Sequence, residues 1–449
     1  MFIKKNNIIN KYNTLNLLYC LFPIAFLLGS SAVNLEVVLI VIAGLALYKE
    51  KIFKFDNIFV ISISIFFIYL IITTFIDLYP NYLTIYLLKS FLYLKNLLLF
   101  LVVSYSIRNE DFNYKYFLFS CLIISIFLSL DIIFQFYNGE NIFGFESNIA
   151  HNSGLFGKEK IAGGYILRFF SLGLFSLLLF LNKDNKTFFF LITILTIITI
   201  AGIVYSGNRM SFLLFYVFIF LMAILIKKIR LQMILSAFVG ILILTHSFSI
   251  NSYFKVRYVS FYQNAISIVP RVSKELQKKY PALSLNKNKN FIIDYLSTGE
   301  NKEYKKDLLV QGSGHTIIYI SSFEVLKDNI IFGQGIKAFQ RKCSSKLYLP
   351  NRICERHPHN YYLEILIDTG MVGFILLVLI LYLSLINKFF YFKNKKDQNL
   401  YYIFLMISLS IILEVFPLKS SGSFFSSVNS AYIFFIIGVF GGLKGKLKN

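Results

Sequence analysis

Residues 188–226 read FFFLITILTIITIAGIVY, then SGNR, then MSFLLFYVFIFLMAILI. Neither flanking run, Phe188–Tyr205 or Met210–Ile226, holds an Asp, Glu, Lys or Arg. As helices rising about 1.5 Å per residue, each covers most of a hydrocarbon layer about 30 Å thick. A lone segment in lipid must pair its own backbone polar groups, so each run is helical. Ser206-Gly207-Asn208-Arg209 is too short for anything but a reversal, which makes the stretch a membrane-spanning hairpin.

The pattern recurs in both directions. Before the hairpin come Leu15–Ser31, Ala32–Tyr48, Asn57–Ile76, Phe91–Ile107, Tyr116–Tyr137 and Ile161–Leu181. After it come Leu231–Ile250, Met371–Ile386, Leu400–Phe416 and Val428–Leu443. The chain is 57% hydrophobic, 15% charged and has a mean hydropathy of +0.66, which excludes an ordinary soluble globule. The reading is an all-α polytopic membrane protein of about twelve transmembrane helices. Trp is absent, so Tyr must serve as the interfacial aromatic.

The net charge of +22 is distributed by topology. Alternate loops are basic: Lys49, Lys51 and Lys54; Arg108 and Lys115; Lys183 and Lys186; Lys227, Lys228 and Arg230; Lys388 to Lys396; Lys444 to Lys448. The intervening short loops carry few cations. This bias places both termini in the cytoplasm. Scattering between apolar spans also argues against nucleic-acid binding. Three regions follow: residues 1–250 with nine spans, 251–370 as one large, partly helical loop outside the cytoplasm, and 371–449 with the last spans and a cytoplasmic tail. The loop carries 18 Lys and Arg against 10 Asp and Glu, a balance that suits either an anionic ligand or simply a solvated surface. Within it, Gln277–Asp307 is poorly periodic. From Thr316 to Asn329, Ile317, Ile320, Phe323 and Leu326 recur every three residues and predict an amphipathic helix, ended by the Phe332-Gly333-Gln334-Gly335 turn.

Histidine is scarce, five in all, and two stand together in His357-Pro358-His359-Asn360-Tyr361-Tyr362-Leu363-Glu364, where the loop closes. Asn360 is a favoured N-cap, and Tyr361–Asp368 can form a helix ended by Gly370. His359 then stands at a helix start and can take a proton from a hydroxyl; the bland alternative is a surface histidine in a turn. Arg209 is either a snorkelling anchor or a guanidinium held to grip a phosphate. Arg168, one turn into a span after the glycine-rich loop Asn141–Gly164, poses the same choice. Glu36, Asp131 and Glu414 read as the lining of an outward-facing cavity. Cys343 and Cys354 suggest a disulfide, with zinc held by Cys343, Cys354, His357 and His359 as the alternative.

Together these stretches resemble the O-antigen ligase / O-antigen polymerase family. His357 to Glu364, with Thr369-Gly370-Met371-Val372-Gly373, looks like that family's His-Asn motif after the large periplasmic loop. Ser206 to Arg209 looks like its Ser-Gly-x-Arg turn, and Asp328 to Gly335 is similar to its Gly-x-Gly segment. Ser153–Gly157, Ala162–Arg168 and Pro417–Phe425 add to the likeness, which runs from about Asn141 to Ser427. One departure is His315, where many members carry a basic residue, often Arg; Arg257 is the loop's alternative basic contact.

The resemblance implies a bacterial inner-membrane enzyme with a periplasmic site. It moves a glycan from undecaprenyl pyrophosphate to a lipid A–core hydroxyl or, as a polymerase, to another repeat unit. The donor supplies the energy, so no cofactor is expected. His359 would be the base and Arg209 the group facing the leaving pyrophosphate. Arg168, His315, Arg257, His357 and Asn360 would contact substrate. A transporter or flippase would instead show internal repeats, broken helices in matching halves and central charges, and the sequence shows no clear version of these.

Overall fold

The computed structural model of the chain describes residues 13–53, 58–76, 83–148, 151–157, 161–181, 185–256, 258–259, 314–345, 354–393, 398–420 and 422–445. Among these the structure is helical, with no strand beyond two isolated bridges. The α-helices are α1 (Asn13–Leu27), α2 (Ser30–Tyr48), α3 (Ile58–Ile76), α4 (Leu83–Arg108), α5 (Tyr114–Asn138), α6 (Ala162–Phe180), α7 (Lys186–Tyr205), α8 (Arg209–Leu225) and α9 (Arg230–Ile250). There follow α10 (Gly314–Leu326), α11 (Ala338–Lys342), α12 (Tyr361–Lys393), α13 (Gln398–Glu414) and α14 (Ser427–Gly445). Eight helical stretches among the described residues are long and apolar enough to cross a membrane; α1, α8, α13 and most of α14 are shorter apolar helices.

Helix α6 is the hub. Fifteen of its residues, from Ala162 to Leu178, are buried, as expected of a helix apolar on every side. It packs on α5, α7, α8 and α13. Close approach to α5 depends on Gly173: a Cβ there would fall 2.5 Å from the Leu122 backbone nitrogen. Outer helices turn bare leucines and phenylalanines outward, such as Leu231 and Phe238 on α9, in keeping with a lipid-facing surface.

Helix α12 is broken at Gly370 (φ 63°, ψ −170°), a conformation reserved for glycine. The break orphans backbone groups on both sides, and the turn at residues 330–335 satisfies them. Met371 and Val372 donate to the carbonyls of Ile330 and Ile331 at 2.8 and 3.2 Å. Gln334 and Gly335 donate to those of Ile367 and Asp368 at 3.0 and 2.9 Å. A Cβ on Gly333 would sit 2.4 Å from the Gly370 nitrogen, so the two glycines interlock. Tyr69 of α3 donates to the Phe332 carbonyl at 3.0 Å, tying the turn to the bundle.

The expected amphipathic helix is α10: of the three-residue series Leu326 is buried and Phe323 packs against the same cluster, while the side chains of the first two members lie outside the described residues. Ile318, Ser321, Ser322 and Val325 are buried beside Leu326, a spacing that follows 3.6 residues per turn. Ile318, Val325 and Leu326 form a second apolar cluster with Ala338, Phe339, Cys343 and Ile367. Asp131 is a loop anchor rather than a cavity wall: its carboxylate accepts from Asn141 Nδ2 and the Ile142 amide, both at 3.2 Å.

Candidate active site

Asn360 does what an N-cap side chain does. Its Oδ1 accepts from the amides of Tyr362 and Leu363 at 2.9 and 3.1 Å, while its Nδ2 donates to the Pro417 carbonyl at 3.0 Å. The start of α12 is thereby fixed to the segment after α13. Tyr362 strengthens the clamp by donating to the Val415 carbonyl at 2.5 Å.

His359 precedes the cap with φ +56°, an uncommon conformation for a residue with a Cβ that costs about 1–3 kcal/mol. Its amide donates to His357 Nδ1 at 3.2 Å, and the two rings lie edge to face with centroids 4.2 Å apart. Its Nε2 lies 2.7 Å from a Glu355 carboxylate oxygen. Burial, with help from His359 and Lys337, pulls the His357 imidazole down to about 4 against the opposing pull of Glu355, so His357 is neutral at neutral pH. Behind it, Cys343 and Cys354 are joined as a disulfide, so both sulfurs that a zinc site would need are bonded to each other. A cavity of about 350 Å³ opens here, lined by Gln340, Cys354, Glu355, Arg356 and His357.

Below the motif lies a buried ion cluster. Arg168 Nε and Nη2 hold both oxygens of Glu414, at 2.8 and 2.6 Å. Lys419 Nζ reaches Glu414 at 2.9 Å, and the Tyr361 hydroxyl donates to it at 2.7 Å. Asn429 accepts a further Arg168 bond at 2.6 Å, and the guanidinium stands over the Tyr432 ring. Two cations against one carboxylate leave a net charge of +1 when all are ionised. Burial lowers the Lys419 ammonium from the usual lysine range, with Glu414 opposing. Arg168 is therefore a bidentate partner of Glu414 rather than a snorkelling anchor, and Glu414 is buried in that pair rather than lining open space.

A second polar knot lies one turn along α12. Glu364 accepts from Ser423 Oγ and the Phe424 amide, both at 2.5 Å, and lies 3.6 Å from Lys337 Nζ. Asp368 accepts from the amides of Lys337 and Ala338 at 2.8 and 3.0 Å, capping α11. These bonds hold the loop segment, the motif helix and the entrance to α14 as one body.

Arg209 opens α8 at the same end of the bundle. Its turn packs on the start of α6: a Cβ on Gly163 would lie 2.7 Å from both Asn208 Cβ and Ser206 Oγ, and one on Gly164 would lie 3.7 Å from Ser211 Oγ. The glycine-rich loop covers the turn, with Asn152 Nδ2 donating to the Tyr205 carbonyl at 2.6 Å and His151 Nδ1 3.3 Å from that of Ser206. The structure thus gathers His357, His359, Asn360, Arg168 and Arg209 at one end. Arg257 lies outside the described residues, as does the side chain of His315 in the first turn of α10.

Residues missed by the sequence reading are Glu355, Tyr361, Lys337 and Lys419. For Lys337 the sequence offers no signal. Lys419 reads only as one more loop lysine, and Tyr361 as one more aromatic.

Residues 193–378 match the family model for O-antigen ligase. That stretch belongs to the O-antigen ligase/polymerase family. It runs from α7 through the Arg209 turn, the interlocked glycines and the His359 motif into α12. Arg168, Glu414 and Lys419 lie outside it. A comparison with curated proteins gives no match. The family indicates a ligase- or polymerase-type glycosyltransferase acting on lipid-linked glycans in a membrane setting.

Proposed function

We propose that the protein is an O-antigen ligase of the bacterial inner membrane, moving a glycan from undecaprenyl pyrophosphate to a lipid A–core hydroxyl on the periplasmic face. Its regions are the first nine spans, the loop 251–370 and the final spans, with both termini cytoplasmic. The observation that carries the reading is the clamp between the His359 motif and the Arg168–Glu414–Lys419 cluster, made through Asn360, Tyr361 and Tyr362. It sets a titratable ring beside a cluster of net positive charge, next to the turn that bears Arg209.

The chemistry follows from those parts. The acceptor oxygen attacks the anomeric carbon as its proton passes to His359. The bond from that carbon to the pyrophosphate oxygen breaks, and undecaprenyl pyrophosphate departs with the bonding pair. Arg209 and Lys419 face the charge that develops on the leaving group. Such electrostatic help is usually the larger contribution, and a general base adds roughly 10²–10⁴-fold. Asn360 and His357 shape the approach, and the cavity beside His357 suits a hydroxyl-rich acceptor because its lining includes the polar side chains of Gln340, Glu355, Arg356 and His357.

The test is the lipopolysaccharide of a deletion strain. A ligase leaves a bare core and polymer accumulated on the lipid carrier. A core bearing a single repeat unit assigns the protein to polymerisation instead, and unaltered lipopolysaccharide refutes both. In the complemented strain, His359→Ala should abolish transfer while the protein still inserts in the membrane; normal transfer by that variant removes His359 from the mechanism.

A further inference from the structure

We propose that Glu355 is the positioning residue for His359, fixing which ring nitrogen accepts the acceptor's proton. The inference rests on the base role of His359 given above. The decisive contact is the 2.7 Å approach of His359 Nε2 to Glu355. A carboxylate has only acceptors to offer, so the neutral imidazole must carry its hydrogen on Nε2 and its lone pair on Nδ1. Nδ1 is then the atom that takes the hydroxyl proton: the O–H bond breaks, an Nδ1–H bond forms, and the imidazolium faces the Glu355 carboxylate. After the product leaves, that proton returns to water.

Glu355 is itself held. It follows Cys354, whose disulfide partner Cys343 is fully buried among Ile318, Val325, Leu326, Ala338, Phe339 and Ile367. The carboxylate is about half exposed (48%) and the ring partly so (25%), yet the ring is restrained from three sides: by Glu355, by the His357 ring and by its own left-handed backbone. An exposed pair of this kind contributes little to stability, so holding the fold together does not account for the arrangement. Glu355 also lines the cavity beside His357, so the orienting group borders the space next to the motif.

The test compares Glu355→Ala, Glu355→Gln and Glu355→Asp in the full-length protein. The probe is glycan transfer in membrane vesicles loaded with the host's own undecaprenyl-pyrophosphate-linked glycan and its lipopolysaccharide core. Glutamine keeps the size and the hydrogen bond, but its amide can also donate to Nε2 and hold the wrong tautomer. Alanine and glutamine should therefore both lower kcat by about 10- to 100-fold, with both KM values within about twofold of the parent, and aspartate should recover more activity than glutamine. Parental kcat for Glu355→Gln, or a raised KM with unchanged kcat for Glu355→Ala, overturns the inference. If His359→Ala is inactive while Glu355→Ala matches the parent, this inference alone falls. If His359→Ala is active, the base reading falls and takes this one with it.

Discussion

Glu414→Gln is the sharpest test of how the site is built. The carboxylate is almost wholly buried, with its side chain 1% exposed. It accepts from Arg168 Nε and Nη2, Lys419 Nζ and the Tyr361 hydroxyl, all within 2.9 Å. Glutamine keeps the shape and one acceptor oxygen but removes the negative charge bonded to both cations. Breaking a buried pair by removing one partner costs about 3–5 kcal/mol, and the retained oxygen argues for the lower end, about 3 kcal/mol. Arg168→Met should cost less, about 2 kcal/mol, because Lys419 and Tyr361 still serve Glu414. Because the two side chains share one set of bonds, the double variant should be less destabilised than the sum of the singles. With the partly exposed Cys20 replaced by Ser, the buried thiol of Cys121 supplies the assay, since a thiol-reactive dye reaches it on unfolding. On heating purified protein in detergent, Glu414→Gln should lower the midpoint by on the order of 5 °C. A midpoint within 1 °C of the parent, or strict additivity with Arg168→Met, would refute the idea that this carboxylate neutralises the cluster.

Further outcomes follow from other parts of the structure. Arg209→Lys should lose at least about tenfold in transfer without loss of membrane insertion, because an ammonium cannot present two parallel donors to a phosphate; equal activity would mark Arg209 as a simple anchor. Gly370→Ala should destabilise by at least about 3 kcal/mol, since the new Cβ meets the Ile331 carbonyl oxygen at 2.3 Å in a backbone conformation alanine avoids; the dye assay measures it, and a parental midpoint would contradict the interlock. The pH response comes from His357. Its folded-state value of about 4 lies below the ordinary 6.5, so the unfolded chain binds the proton first. Stability is therefore whole above about 6.5 and falls as pH drops toward 4, by about 1 kcal/mol once screening of this part-exposed ring is allowed for. His357→Gln should flatten the midpoint's dependence on pH across that window, and an unchanged slope would assign the effect elsewhere.

Much of this molecule is legible one segment at a time. Phe188–Tyr205 and Met210–Ile226 must be helices because lipid offers their backbones no other partners, and each of the twelve apolar runs falls on a helix. The cap at Asn360 and the break at Gly370 are likewise local, since the first depends on a side chain reaching amides two and three residues on and the second on the absence of a Cβ. What neighbours what was not legible. The character of Ala162–Phe180 suits a buried helix, but with no single apolar stripe it does not say that α5, α7, α8 and α13 are its neighbours. Arg168 and Glu414 lie 246 positions apart, and each alone reads as an isolated charge in a span. Only the packing of α6 against α13, and of Tyr361 onto both, makes them one pair and recruits Lys419. The sequence by itself determined the helices, the cap at Asn360 and the break at Gly370. The tertiary structure alone decided which charges are neutralised and which ring nitrogen faces a carboxylate, because burial and electrostatics act through distances that the order of residues does not contain.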